Sequence, residues 1–183
     1  LGVEHISAYS LMYEEGTPLY RMLEKGKIEE IDEENSRQMY ELLITQLTSA
    51  GYEHYEISNF AKPGYRSRHN SSYWHEVPYI GIGAAAHSYK RETKRGDGNK
   101  IEATRSWNVD NIGKYIASIQ KGELPRESET LDLSTRYNDL ITTALRTSDG
   151  IDIEKMRLEF GDELASQMLQ EAEKHILRGL MEI

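Results

Sequence analysis

The first 57 residues alternate between strand and helix patterns, and this order constrains the fold more than any other feature of the sequence. Residues 3–11 form a short apolar run typical of a buried strand, and residues 52–57 alternate apolar and polar side chains with a period of two. Between them, Thr17 can cap one helix, and Asp32 or Glu33 begins a longer one. This strand, helix and strand order is a βαβ unit, which normally gives a parallel sheet with a right-handed crossover.

A single βαβ unit is too small to make a sheet, so the pattern implies further strands outside this chain. Apolar residues make up 38% of the 183 residues, and 12 of them are Tyr. Globular domains usually carry about 45–50% on a count that includes Gly and leaves out Tyr. The chain also begins with Leu1 and ends directly after a helical pattern. We therefore expect a piece of a larger α/β protein, truncated at both ends.

The middle of the chain predicts one more strand and an inserted hairpin. Residues 58–73 have the composition of a polar loop, and residues 78–86 form an apolar strand that ends in small residues. Residues 91–100 predict a hairpin tip or a mobile loop, and residues 106–109 the strand that returns from it. We expect one sheet edge to lack a partner strand. We expect neighbouring parallel strands to carry Ser7, Tyr9, Ile57 and Ile82.

From residue 110 onward the apolar periodicity is that of helices. Helices are predicted over residues 110–122, 132–150, 152–160 and 162–180. Asp110 is the predicted cap of the first, Asp132 or Ser134 begins the second, and Ile151 and Asp152 begin the third. The last three have the lengths of a winged-helix module, but this region is rich in Asp and Glu. Since the whole chain carries a net charge of −9, we expect no nucleic-acid partner. We predict an α/β domain over residues 1–109 and a helical domain over residues 110–183.

The composition excludes several classes of function. The chain contains no Cys, which excludes a disulfide scaffold, a cysteine nucleophile and any thiolate-bound iron–sulfur cluster within this chain. No apolar run reaches the length of a membrane helix, and no signal peptide is recognisable. We expect a cytoplasmic protein whose association with a membrane, where it occurs, is peripheral.

The densest cluster of chemically versatile side chains lies in residues 66–75. If this stretch is helical, His69 stacks over Tyr73, and Asn70 over Trp74, because each pair is four residues apart. A neutral imidazole can ligate haem iron, and Tyr and Trp offer flat apolar faces to an aromatic ligand. The alternative is a polar cap on the sheet, with the aromatic side chains in the core and the His satisfied by hydrogen bonds.

A second group of candidate residues follows two of the predicted strands. Phe60 and Ala61 come after the strand at residues 52–57, and Gly83 and Ala84 lie within a small-residue run. Parallel sheets bind ligands at the carboxyl ends of their strands, where small residues let a ligand approach the backbone. Glycine and alanine also serve close packing, so the pattern alone leaves both interpretations open.

Three segments together resemble one family. They are HISAYSLMYEEGTPLY (residues 5–20), GYEHYEISNFAKPGYRSRHNSSYW (residues 51–74) and PYIGIGAAAHSY (residues 78–89). They resemble the radical S-adenosylmethionine proteins related to anaerobic coproporphyrinogen III oxidase, and within them the HemW-type haem-chaperone branch. The hallmark of that branch is His-Asn-x-x-Tyr-Trp, which is matched here by residues 69–74.

The resemblance implies the later part of a partial (β/α) barrel, followed by a helical, winged-helix-like C-terminal domain. It implies a full protein with a [4Fe-4S] cluster and S-adenosylmethionine, although the cysteine loop that holds the cluster is absent here. By this resemblance, His69 is the candidate ligand of haem iron, and Asn70, Tyr73 and Trp74 complete the haem motif. The residues that would line the S-adenosylmethionine wall are Phe60, Ala61, Gly83 and Ala84.

Two functions follow from the resemblance. The first is a chaperone that binds haem or a related porphyrin and delivers haem to respiratory proteins. The alternative is the oxidoreductase activity of the wider family, the oxygen-independent oxidative decarboxylation of coproporphyrinogen III in porphyrin biosynthesis. The motif at residues 69–74 favours the chaperone. In either case we expect this chain alone to be inactive, because S-adenosylmethionine cleavage needs the cluster as electron donor.

Overall fold

The computed structural model describes residues 2–94 and 100–182. The chain divides into two compact units, Leu1–Arg68 (unit 1) and His69–Ile183 (unit 2). Residues 95–99, within the predicted hairpin tip or loop at residues 91–100, lie outside the described residues. None of the helices described is long and apolar enough to cross a membrane.

Unit 1 consists of a small sheet and two helices. Its elements are β1 (His5–Ser7), α1 (Pro18–Glu24), α2 (Glu33–Ser49), β2 (Glu53–Glu56) and β3 (Asn59–Ala61). Thr17 caps α1 and Asp32 caps α2, each by accepting a hydrogen bond from the backbone N–H three residues on. The predicted helices and the strand near residues 52–57 are therefore confirmed.

The predicted parallel pairing in unit 1 is wrong. The strand order is β1-β3-β2, and β3 runs antiparallel to both of its neighbours. Ser7 lies on β1, but Tyr9 and Ile57 lie outside the strands. The cause is the two-residue turn at Ile57 and Ser58, which sends the chain straight back as a hairpin. β1 and β2 thus run in the same direction, as a βαβ crossover requires, but β3 lies between them. β3 also falls in a region predicted to be a loop.

Unit 2 combines an antiparallel sheet with helices. The boundary between the units falls at the start of the short helix α3 (Arg68–Trp74). The elements that follow are β4 (His87–Lys94), β5 (Lys100–Asn108), α4 (Ile112–Gln120), β6 (Arg126–Leu131), α5 (Leu133–Ala144), α6 (Ile153–Phe160) and α7 (Asp162–Ile176). The sheet has the order β4-β5-β6, and both pairings are antiparallel. The predicted hairpin is present: β4 and β5 pair antiparallel, and β5 includes most of the return strand predicted at residues 106–109.

Two predictions for unit 2 are wrong. Residues 78–86 do not form a strand, and only Tyr79 makes a β-bridge there, to Tyr89. Ile82 is 89% exposed and lies on no strand. Left-handed backbone at Gly83 (φ +111°) and Ala85 (φ +59°) breaks the extended path. The region predicted to be wholly helical contains β6, whose sequence RESETL carries a single buried residue and so lacks a strand's apolar alternation.

The C-terminal helices hold the main core of unit 2. Met156, Phe160, Ala165 and Met168 form a buried cluster, and side chains of α5 pack against it. Asp132 and Asp152 cap α5 and α6 as the sequence predicts. β5 ends before residue 109 and β6 begins after it, so their pairing joins the two predicted domains. The division into domains at residue 109 stays a prediction.

Candidate functional site

The haem-motif residues lie on α3, a helix of only seven residues. The helical spacing brings the ring of Tyr73 edge-on to that of His69, with centroids 5.0 Å apart. The Tyr73 hydroxyl lies 3.0 Å from Nε2 of His69, within hydrogen-bond distance. His69 is exposed and Asn70 is partly buried on the same helix. The structure therefore brings His69 and Tyr73 together as a pair on the surface of unit 2.

Tyr73 is the first member of a row of three tyrosines. Its ring meets Tyr79 edge-on at 4.8 Å between centroids, and Tyr79 stacks on Tyr89 at 6.3 Å. Paired backbone hydrogen bonds of 2.9 and 3.0 Å hold Tyr79 to Tyr89. Burial raises the pKa of Tyr79 and of Tyr89, so both phenols are neutral at physiological pH. Sequence reasoning missed both residues, because the contact depends on a bridge between distant segments.

Trp74 lies at the end of the motif helix. The Arg146 guanidinium lies over its ring, 5.3 Å from the centroid. The indole Nε1–H is buried and has no hydrogen-bond partner within the described part of the chain. Tyr73, Trp74 and Tyr79 line a cavity of about 160 Å³, which is smaller than the roughly 300 Å³ at which ordinary ligand pockets begin. A macrocycle would therefore lie on the surface of α3 and not inside this cavity.

Gly83 and Ala84 lie in the loop before β4, within unit 2. The Gly83 N–H donates to the Tyr115 hydroxyl at 3.2 Å, and Asn108 Nδ2 donates to the Gly83 carbonyl at 2.8 Å. These bonds fix the loop to α4 and to the end of β5. For the neighbouring Gly81 the packing interpretation holds, because a Cβ there would lie 2.1 Å from the His87 carbonyl oxygen.

Phe60 and Ala61 lie on the central strand of unit 1, and both are 0% exposed. The Phe60 ring is covered by His54, which stacks on it at 4.5 Å. Their side chains thus offer no surface to a ligand in unit 1. This burial does not fit a direct side-chain contact with S-adenosylmethionine.

Metal-ligating side chains do not cluster in the part of the chain that the structure describes. No group of three His, Asp or Glu side chains that could hold a metal ion is found among residues 2–94 and 100–182. Because there is no Cys in the sequence, the residues present do not fit an iron–sulfur cluster. An exposed imidazole, such as that of His69, would be able to ligate a haem iron.

The comparisons with known proteins agree with the motif. No family model matches the chain. The chain is 33% identical over 165 residues to "Heme chaperone HemW" of Bacillus subtilis, which covers 90% of this chain and 41% of that protein. It is 34% identical over 156 residues to the protein of the same name from Mycobacterium tuberculosis, covering 85% and 37%. The mitochondrial "Radical S-adenosyl methionine domain-containing protein 1" of Danio rerio is 33% identical over 149 residues, covering 81% and 33%.

A solved structure supports the same fold. The coproporphyrinogen III oxidase HemN of Escherichia coli, described as a radical SAM enzyme, aligns with a TM-score of 0.59 and 14% identity, covering 94% of this chain and 40% of that one. The chain spans about two fifths of the length of the curated relatives it matches first. With the motif on α3, the relatives and the fold in agreement, the chain belongs to the radical S-adenosylmethionine family, among the relatives of HemW.

Proposed function

We propose that this chain supplies the haem-binding segment of a HemW-type haem chaperone, with His69 as the ligand of the haem iron. The observation that carries the proposal is the exposed His69–Tyr73 pair on α3. The name of the relatives, heme chaperone, supports the same ligand. Tyr73 and Trp74 would pack against the macrocycle, and Asn70 completes the motif.

The contact with Tyr73 bears on which ring nitrogen of His69 would be available to an iron, in the tautomer in which Nε2–H donates to the Tyr73 hydroxyl. Tyr73 engages Nε2 of His69 and leaves Nδ1 as the ring nitrogen that it does not engage. A neutral imidazole donates its lone pair to iron, and the ring nitrogen that binds is set by the hydrogen bond of the other. Because the cavity beside Trp74 is small, the exposed part of Tyr73 forms the apolar surface nearest to the ligand.

We assign no step of the family's S-adenosylmethionine chemistry to the residues of this chain. The chain has no thiolate for the cluster, and Phe60 and Ala61 are buried. Their assignment to the cofactor wall, with Gly83 and Ala84, stays a prediction that rests on the resemblance. We infer that this chain alone does not cleave S-adenosylmethionine, because no side chain in it can hold the electron-donating cluster.

The proposal also covers the proteins that would receive haem and where in the cell they would receive it. Haem bound at α3 would be passed to respiratory proteins in the cytoplasm, with any membrane contact peripheral. The coproporphyrinogen oxidase alternative has no specific observation in its favour, since the likeness to HemN at 14% identity concerns the fold. The chaperone is therefore the function that the site supports best.

The test replaces the proposed ligand and titrates with haemin. His69→Ala removes the imidazole, so the Soret band should shift or disappear, and affinity should fall without vanishing because Tyr73 and Trp74 remain. His175→Ala on α7 is the matched control and should leave the spectrum unchanged. Absorption spectroscopy gives both results. If His69→Ala keeps the parent spectrum and affinity, His69 is a structural cap and the proposal is wrong.

A further inference from the structure

The motif helix ends in an unusual way, at Glu76. The Val77 N–H donates to the Ser72 carbonyl at 3.0 Å, and Glu76 between them has a left-handed backbone with φ +55°. This is the Schellman-type ending of a helix, in which the left-handed position is usually Gly because a Cβ is strained there. A charged residue at this position therefore needs a compensating interaction.

The side chain of Glu76 supplies that interaction. It is only 12% exposed, and its Oε1 lies 2.6 Å from Nη1 of Arg91 on β4. The other terminal nitrogen of Arg91 lies 2.5 Å from Oε2 of Glu159 on α6. Arg136 on α5 binds the second oxygen of Glu159. Two cations and two carboxylates thus form a neutral relay, and buried charges persist only when they are paired in this way.

The carboxylate of Glu159, at the centre of the relay, stays charged at physiological pH. Burial acts to raise the pKa of Glu159, but hydrogen bonds from Arg91 and Arg136 outweigh it and hold that pKa below its usual value. Arg91 is therefore a permanent bridge between the end of the motif helix and the C-terminal helices.

The motif helix is short and is not deeply buried. It has two turns and no fully buried residue, and helices this short are not stable alone. Tyr73 and Trp74 are the last two residues of α3, three and two positions before Glu76, respectively. A movement at Glu76 would therefore act on the end of the helix that carries both aromatic side chains.

We propose that Glu76 is a positioning residue for the haem motif: its left-handed backbone ends α3, and its carboxylate ties that end through Arg91 to Glu159. This inference rests on the proposed haem-binding function and adds a residue that the motif does not include.

The experiment removes the ion pair in two ways that both leave the left-handed backbone at residue 76 accessible. Glu76→Gly relieves the left-handed backbone but removes the carboxylate, and Glu76→Gln keeps the shape but removes the charge. Glu92→Gln, which breaks the exposed Lys90–Glu92 pair on β4, is the control with the same change in charge. All are made in a Trp107→Phe background, so that Trp74 is the single fluorescent indole of the chain.

We expect both Glu76 variants to fold, as judged by far-UV circular dichroism. Without haem, the emission of Trp74 should shift to longer wavelength, because the indole becomes more exposed. In haemin titrations the affinity should fall by about fivefold, within the range of coupling seen for residues that act through others. Glu92→Gln should change neither reading.

The other outcomes decide against the proposal in distinct ways. If Glu76→Gly leaves the emission and the affinity unchanged, or if it no longer folds, Glu76 does not position the motif. An emission shift without a loss of affinity would also overturn the link to haem. If the parent chain binds no haemin, the proposed function fails, whereas the emission of Trp74 still judges the role of Glu76.

Discussion

Gly81 and Gly113 in unit 2 have opposite steric surroundings, and neither has a left-handed backbone. At Gly81 an added Cβ would meet the backbone of His87, with its carbonyl oxygen at 2.1 Å. At Gly113 on α4, the nearest atom would be Asn111 Oδ1, at 3.4 Å. The sequence shows both simply as Gly, so only the tertiary structure distinguishes the glycine required by packing.

The two substitutions to Ala should therefore change stability in opposite directions. Gly81→Ala forces the backbone at the start of β4 to move, and we expect a loss of about 1–3 kcal/mol in the free energy of unfolding. Gly113→Ala should raise it by about 0.5–1 kcal/mol, because Ala restricts the unfolded chain and favours the helix. Urea unfolding followed by Trp fluorescence measures both. A neutral Gly81→Ala would contradict the close approach.

The starts of the helices are determined by hydrogen bonds between residues close together in the sequence. Asp32, Asp132 and Asp152 each accept a hydrogen bond from the N–H three residues on. One cap differs from the prediction, since α4 is capped by Asn111 and not by Asp110. The two residues are neighbours of similar shape, so a pattern of side chains cannot separate them, whereas the backbone angle of Asn111 does.

The cap of α5 should give stability that depends on pH. The backbone N–H of Thr135 holds the pKa of Asp132 below its usual value. A lowered folded-state pKa contributes stability above the unfolded value, about 3.9, and this is lost as pH falls through the folded value. Asp132→Ala should thus lower the free energy of unfolding at about pH 7, and the difference from the parent should narrow below about pH 4.

Asp110→Ala provides the matched control, because Asp110 is not the cap of α4. It should leave urea unfolding nearly unchanged across the same pH range. An effect of Asp132→Ala that is independent of pH would show that the carboxylate charge does not matter at this cap.

At the scale of the whole molecule, the two units differ in the core that they bury. Of the residues that the structure describes, unit 1 buries three apolar residues, Tyr55, Phe60 and Ala61. Unit 2 buries a cluster on α6 and α7, together with residues of β5, β6 and α5. Because burial of apolar surface is the main stabilising contribution, unit 1 is expected to be the less stable of the two.

Both tryptophans, Trp74 and Trp107, lie in unit 2, which allows the difference to be measured. In urea, far-UV circular dichroism also detects α1 and α2 of unit 1, so its transition should begin at lower urea than that of Trp fluorescence. Residues 69–183 expressed alone should unfold at the fluorescence midpoint. Coincident curves for the full chain would show that the units unfold as one.

The sequence by itself determined the capped helices, most of their N-terminal ends and the family, whereas α3 falls in a stretch predicted mostly as a loop and several helices end earlier than predicted. Caps such as Asp32 and Asp132 act within one helical turn, and the spacing of His69 and Tyr73 is enough to pair them once α3 forms. The tertiary structure alone decided that β3 lies between β1 and β2, that residues 78–86 are not a strand, and that Tyr79 and Glu76 adjoin the motif. The physical reason is range: a helix is closed by hydrogen bonds between residues three or four apart, whereas strand neighbours and ion pairs join segments that sequence order does not specify.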